Sequence, residues 1–332
     1  MDEKYTKLLT KPIRNDRELL QDLLPLDQPL RIFIDPCDIC NFRCGFCFQN
    51  HGEFKGSMME EELFDTIVSQ LKEFEKPINV IHLYGLGEPM LNEKVPLYLA
   101  KLKNAHVAGE VQMTSNGSRL TEKLSEQLVE AGLNWLTISL NGLSDQQFRE
   151  IAGVKVDFEK FYSQIRYFYK IRGNCHLHIK INGECFSEQE QEKFVELFGD
   201  CSDTLNITHV VNLWSGINLS EGDATMYNTP AVQAENDQRP AVCPQIFYEL
   251  MIHSNGDVSP CNPDYTYLTE NLGNVKKTTV KQLWHGEKIL RLQRQSLLGE
   301  EMDYKICKNC TYPVCASTVN ITPFRDELLK RF

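Results

Sequence analysis

The chain has no long apolar run. None of its 332 residues belongs to a stretch of the roughly 18 apolar residues that a membrane-spanning helix needs, and its opening, MDEKYTKLLT, holds no apolar signal core. These absences predict a cytoplasmic protein with no membrane partner. Positive charge is scarce too: 35 Lys and Arg face 46 Asp and Glu, a net charge of −11, with no basic block or stripe. Nucleic acid is therefore not an expected partner. Residues 1–29 are too short for a peptide-recognition domain and read as an extension packed on the main domain. Cysteine is what the chain has in excess, 12 residues. In a small secreted protein that number suggests disulfides; in a larger cytosolic one it suggests metal. Most fall in two groups, 37–47 and 243–315, with Cys175, Cys185 and Cys201 between.

The first group lies in DPCDICNFRCGFCFQN, residues 35–50. Cys40, Cys44 and Cys47 fit C-x3-C-x2-C. Three thiolates this close can hold three corners of an iron–sulfur cube and leave its fourth iron open. A structural zinc more often takes two paired short Cys or His units; Cys37 would have to complete a tetrahedron here.

Along the chain, apolar strand-like runs alternate with amphipathic helical ones. Strands are expected at 30–34, 78–84, 110–114, 135–140, 176–181 and 205–211. Helices are expected at 57–74, 94–103, 120–131, 145–151, 158–171 and 188–198, the first capped by Ser57. About six β–α units in sequence argue for an α/β fold with a parallel sheet, either partly closed or open and doubly wound. Ligands in such sheets bind at the carboxyl ends of the strands. Residues 218–242 are polar, lack strong periodicity and read as a linker. Beyond them Asn255-Gly256 between apolar runs signals a hairpin. A helix is expected over 280–297 with a break at Gly286, and a short one over 323–332.

Cys40-Asn-Phe-Arg-Cys44-Gly-Phe-Cys47 resembles the cluster loop of the radical S-adenosylmethionine (radical SAM) enzymes, which follows the first barrel strand and carries an aromatic before its last cysteine, here Phe46. The resemblance implies a partial (β/α)6 barrel over 30–217. It also implies a 4Fe-4S cluster on Cys40, Cys44 and Cys47 whose open iron chelates S-adenosylmethionine. Cys37 lies outside the pattern. Tyr84-Gly-Leu-Gly-Glu-Pro89 resembles the family's Gly-Gly-Glu-Pro stretch, with Leu86 for the first glycine. That implies contact of Gly87 and Glu88 with the amino group of S-adenosylmethionine, a group that needs acceptors and close backbone approach. Asn116, after the third strand, either faces the cofactor or forms a turn. Ser139 and Asn141 resemble the family's Ser-x-Asp ribose contact, with Asn for Asp. Asp145 and Arg149 echo the family or form a surface ion pair. Lys180 either points inward, toward the cofactor carboxylate or substrate, or snorkels outward. Cys185 is a hydrogen-atom donor or a small core side chain.

The second cysteine group, Cys243, Cys261, Cys307-x2-Cys310 and Cys315, resembles the SPASM or twitch module, here over 243–320 with a tail at 321–332. It implies one auxiliary 4Fe-4S cluster on Cys243, Cys261, Cys307 and Cys310, with Cys315 spare or substituting. A structural zinc on the same thiolates is the other reading. The implied chemistry is reductive cleavage of S-adenosylmethionine to a 5′-deoxyadenosyl radical, fed by an external one-electron donor such as flavodoxin or ferredoxin. Hydrogen-atom abstraction then leads to two-electron oxidation of a sugar- or aminocyclitol-type small molecule. Modification of a ribosomal peptide or protein side chain by cross-linking, oxidation or epimerisation is the competing reading. A non-catalytic electron-transfer or binding protein is the reading from another class.

Overall fold

The structure is a computed structural model describing residues 19–51, 54–208, 240–262, 264–308, 310 and 319–332. Six strands alternate with helices: β1 (Arg31–Ile34), β2 (Ile78–His82), β3 (Ala108–Ser115), β4 (Trp135–Ser139), β5 (His176–Asn182) and β6 (Thr204–Thr208). They pair in parallel, each with the next in sequence. The helices are α1 (Glu61–Leu71), α2 (Val95–Ala105), α3 (Glu122–Glu130), α4 (Asp145–Ala152), α5 (Phe158–Ile171) and α6 (Glu188–Phe198). No helix among the described residues is long and apolar enough to cross a membrane.

The C-terminal segment joins the same sheet. β7 (Glu249–Ile252) pairs in parallel with β1, and β8 (Asp257–Ser259) and β9 (Gly273–Asn274) follow in antiparallel order. The sheet order is β6-β5-β4-β3-β2-β1-β7-β8-β9. The Asn255-Gly256 hairpin is present, with Gly256 at φ +93°, where a side chain would be strained. The helical run after it breaks at Gly286 into α7 (Val280–Trp284) and α8 (Glu287–Leu298). The last helix is shorter than expected, α9 (Arg325–Leu328) after one 3-10 turn. Residues 209–211 of the sixth strand, residues 218–239 of the expected linker, and Cys315 lie outside the described residues.

Strand alternation divides the sheet into two unlike faces. Leu136, Ile138, Leu177, Ile179 and Leu205 are buried in the core they share with the helices. Each such side chain contributes about 1.5–3 kcal/mol. The opposite face carries Phe33, His82, Gln112, Thr114, Trp135, Thr137, His176, His178, Lys180 and Thr204. It is knitted by short-range polar contacts. Trp135 stacks on His176 at 3.7 Å, and His176 and His178 reach Thr204 Oγ1 at 2.8 and 2.7 Å.

One charged pair anchors the start of β5. Arg172 donates to both Asp203 oxygens at 2.7 and 2.8 Å, and Leu177 N–H donates to the same carboxylate at 2.8 Å. Burial pushes Asp203 up, but the guanidinium and the N–H outweigh it and hold the carboxyl below its usual range. A depressed carboxyl contributes stability above its unfolded pKa and loses it as pH falls through the folded one. We expect Asp203→Asn to cost roughly 1–2 kcal/mol at neutral pH and to flatten the loss of stability that the native chain shows below about pH 4. Urea midpoints across pH test this; parallel curves for the two proteins would refute it.

Candidate functional site

The cysteine loop leaves the carboxyl end of β1 and is pinned from four directions. Gln49 closes it on itself: its carbonyl accepts Cys40 N–H at 3.2 Å and its amide donates to Asp38 O and Leu86 O, both at 2.8 Å. Arg43 N–H donates to Ala152 O at 2.8 Å, tying the loop to the end of α4. Asn116 Nδ2 donates to Asn41 Oδ1 at 3.0 Å and points toward Cys40 Sγ at 3.9 Å. Tyr267, from the C-terminal segment, donates its hydroxyl to Asp38. Gln49, Asp38 and Tyr267 carry no sequence signal of a role here; Gln49 and Asp38 stand only inside the cysteine-rich stretch.

Gly87 lies against the loop backbone. A Cβ there would stand 2.3 Å from Cys37 O and 2.5 Å from Ile39 O. Glu88, beside it, is buried: Ser115 Oγ, Asn116 N–H and Met90 N–H all donate to its carboxylate at 2.7–2.9 Å. Three of about four lone-pair directions are thus filled from within, leaving about one for a ligand ammonium. Desolvation pushes its pKa up despite those donors. Asp35 is buried just before the loop, accepting Leu86 N–H at 2.7 Å, and burial with the nearby Asp38 charge lifts it to about 7.

Burial lifts Cys40 to about 11, with Glu88 and Cys47 adding to the rise; it also raises Cys44 and Cys47. Cys44 is raised further by the charges of Cys47, Cys40 and Cys185. Cys185 packs partly buried against the main core. Thiols this reluctant to ionise become thiolates when a metal takes the proton's place. The second group behaves alike. Burial, then the Cys310 charge, lifts Cys243 to about 12; Cys261 and Cys307 are raised by burial and by the other members of the quartet. All eleven described cysteines are free. Among the described residues no three Cys, His, Asp or Glu converge as ligands of one ion would. A four-iron cluster takes about one thiolate per iron, and cysteine thiols are the donor type each group offers it.

At the far strand ends, Ser139 and Lys180 are register partners across β4 and β5, on the polar face. Asn141 is buried and donates to Ser139 O at 3.3 Å. Phe46 packs partly buried against the main core. The structure thus gathers Gly87, Glu88, Asn116, Ser139, Asn141 and Lys180 at the carboxyl ends of neighbouring strands. Asp145 instead accepts the N–H of Phe158 at 2.9 Å, at the start of α5. Ser57 caps no helix: its N–H and hydroxyl go to Asp38 and Ser254, and α1 starts at Glu61.

Residues 34–197 match the model of the radical SAM superfamily, and residues 243–311 match the iron-sulfur cluster-binding domain called SPASM. A probable GTP 3′,8-cyclase of Methanococcus vannielii is 33% identical over 119 residues, covering 36% of this chain and 38% of that protein. The chain thus spans well under half the length of that relative. Among solved structures, BtrN in complex with AdoMet and 2-DOIA is similar at a TM-score of 0.54 and 20% identity, over 84% of this chain and 92% of that one. Streptococcus suis SuiB bound to precursor peptide SuiA is similar at 0.62 and 16%, over 92% of this chain and 75% of that one.

Proposed function

We propose that this chain, which belongs to the radical SAM superfamily and carries a C-terminal SPASM module, removes two electrons from a hydroxyl-bearing small molecule of the sugar or aminocyclitol class. The polar face of the sheet carries this reading. Its described strand cations are Arg31, paired with the buried Glu249, and Lys180. Beside them stand the carboxylate of Glu110, which accepts Gln112 Nε2 at 3.1 Å, and the neutral hydrogen-bonding groups of the His, Thr, Gln and Trp side chains. His82 is pulled down to about 3 by burial and the Arg31 charge, so it is a neutral imidazole, and its buried Nδ1 has no partner. Such a surface suits hydroxyl groups. A triphosphate, as in the GTP of the cyclase relatives, calls for several converging cations.

When bound, the clusters and S-adenosylmethionine supply one-electron cleavage to methionine and a 5′-deoxyadenosyl radical, and an electron sink for the second oxidation step. The chain's own residues hold and orient. Cys40, Cys44 and Cys47 would hold the first cluster, and Cys243, Cys261, Cys307 and Cys310 the second. Gly87 and Glu88 would receive the cofactor's amino group, Ser139 and Asn141 its ribose, and Lys180 its carboxylate or the substrate. His82 would accept a hydrogen bond from a substrate hydroxyl. A flavodoxin- or ferredoxin-type donor is the partner this reading calls for. Peptide modification is the second reading, favoured by the likeness to peptide-bound SuiB.

Anaerobically reconstituted, reduced protein given S-adenosylmethionine is expected to release 5′-deoxyadenosine, faster with a polyol or aminocyclitol than with peptide or GTP. The product should weigh two hydrogens less than the substrate. Release stimulated only by peptide, or by GTP, would overturn the substrate class; no release with both clusters present would favour the non-catalytic reading. Solvent deuterium in an unoxidised product, abolished by Cys185→Ala, would establish epimerisation instead.

A further inference from the structure

We infer that Tyr267 is a positioning residue for the radical cluster loop, and that a buried string of side chains ties that loop to the backbone carrying two auxiliary cysteines. The string starts at Asp38, two residues before Cys40, which accepts the Tyr267 hydroxyl. The Tyr267 ring stacks on His253 at 3.7 Å and 6°. His253 Nε2 meets Ser259 Oγ at 2.8 Å, Ser259 donates to Asp264 Oδ2 at 2.7 Å, and Tyr304 donates to the same oxygen at 2.8 Å. Ser259 stands two residues before Cys261, and Tyr304 three before Cys307.

Three features make this a rigid link. Every member is at most 4% exposed, so water does not compete for its bonds. The donors converge on two carboxylates, Tyr267 on Asp38 and both Ser259 and Tyr304 on Asp264. Asp264 accepts only, so Ser259 gives its proton there and takes the His253 Nε2–H; that fixes the imidazole tautomer. Among the described residues Asp38 has no basic partner: Ser57 N–H and the Tyr267 hydroxyl are its side-chain donors. Losing that hydroxyl leaves a buried carboxylate short of a donor at the root of the cysteine loop. The inference goes beyond the proposed reaction and holds whichever substrate is used.

The test is amide hydrogen exchange on the full-length apoprotein, read by mass spectrometry. Tyr267→Phe keeps the ring and its stack and removes only the hydroxyl. Exchange over residues 37–40 and at Ser57 is expected to speed about tenfold or more, the equivalent of the ~1.5–3 kcal/mol of a hydrogen bond to a charged group, while α5 stays as slow as before. Ser259→Ala, beyond the stack, should speed the same amides severalfold. In the reconstituted enzyme, Tyr267→Phe should also alter the electron paramagnetic resonance spectrum of the N-terminal cluster with S-adenosylmethionine bound. Unchanged exchange over 37–40 in Tyr267→Phe, or equal acceleration throughout the chain, would overturn the positioning role. Ser259→Ala without effect would cut the string at the stack.

Discussion

Cys44→Ser, purified and reconstituted anaerobically, is expected to lose about half its bound iron, from roughly eight to roughly four per chain, and all release of 5′-deoxyadenosine above background. The side chain is 9% exposed, inside a loop already fixed by Gln49, Arg43 and Tyr267. Serine matches its volume, so the loop keeps its shape. A hydroxyl is a hard, reluctantly ionised donor where iron prefers a soft thiolate. Burying it unpaired costs only about 1–3 kcal/mol, which a chain of this size survives. The loss is thus one of chemistry rather than of folding. Cys37→Ser is the matched control. That thiol is fully buried and donates to Ile39 O at 3.4 Å, so it has a structural partner of its own. It should keep its iron and its activity. Iron analysis, absorbance and nucleoside release decide the matter. If Cys44→Ser kept its cluster while Cys37→Ser lost it, the ligand assignment would be wrong.

Much of the fold is legible in the sequence because it is local. The helices at Phe158–Ile171 and Glu188–Phe198 follow from apolar spacing with Asp157 and Ser187 in place to cap them, Ser187 and Glu190 forming a reciprocal box. The later cysteine group is visible by residue type, and its resemblance to the SPASM module implies the auxiliary quartet. The misses are contacts across the chain. Ser57 has the composition of a helix cap, but its hydroxyl pairs with Ser254, 197 residues later, at 2.6 Å. The pairing of β7 with β1 joins residues more than 200 positions apart, and no periodicity records a register between them. Tyr267 and Asp38 are separated by 229 residues, and neither residue type announces the bond between them. Glu88 stands out as an acid in a glycine-rich turn, yet its neighbours Ser115 and Asn116 come from the next strand. Their donation to its carboxylate is a property of strand adjacency, not of the Gly-Leu-Gly-Glu stretch.

That turn also carries the second large effect, Gly87→Ala. Its contacts are all backbone: Cys37 O at 2.3 Å, Asp38 C at 2.5 Å and Ile39 O at 2.5 Å from an added Cβ. No side chain can rotate away, so one of the two segments must retreat. Retreat lengthens Glu88 N–H to Ile39 O, now 2.9 Å, and Gln49 Nε2 to Leu86 O, now 2.8 Å, the bonds that seat the cysteine loop on the second strand's end. We expect destabilisation of about 3 kcal/mol, the upper end for overpacking, and loss of 5′-deoxyadenosine release even where the variant still folds. Gly173→Ala calibrates the result. Gly173 sits at φ +55° with nothing within 4 Å of an added Cβ, so the substitution costs only the left-handed conformation, about 1–2 kcal/mol, and should keep full activity. Urea midpoints separate the two costs, and nucleoside release separates distortion of the site from loss of fold. A Gly87→Ala protein as stable and as active as Gly173→Ala would mean that the loop and the glycine-rich turn do not touch as described, and the seat for the cofactor's amino group would have to be sought elsewhere.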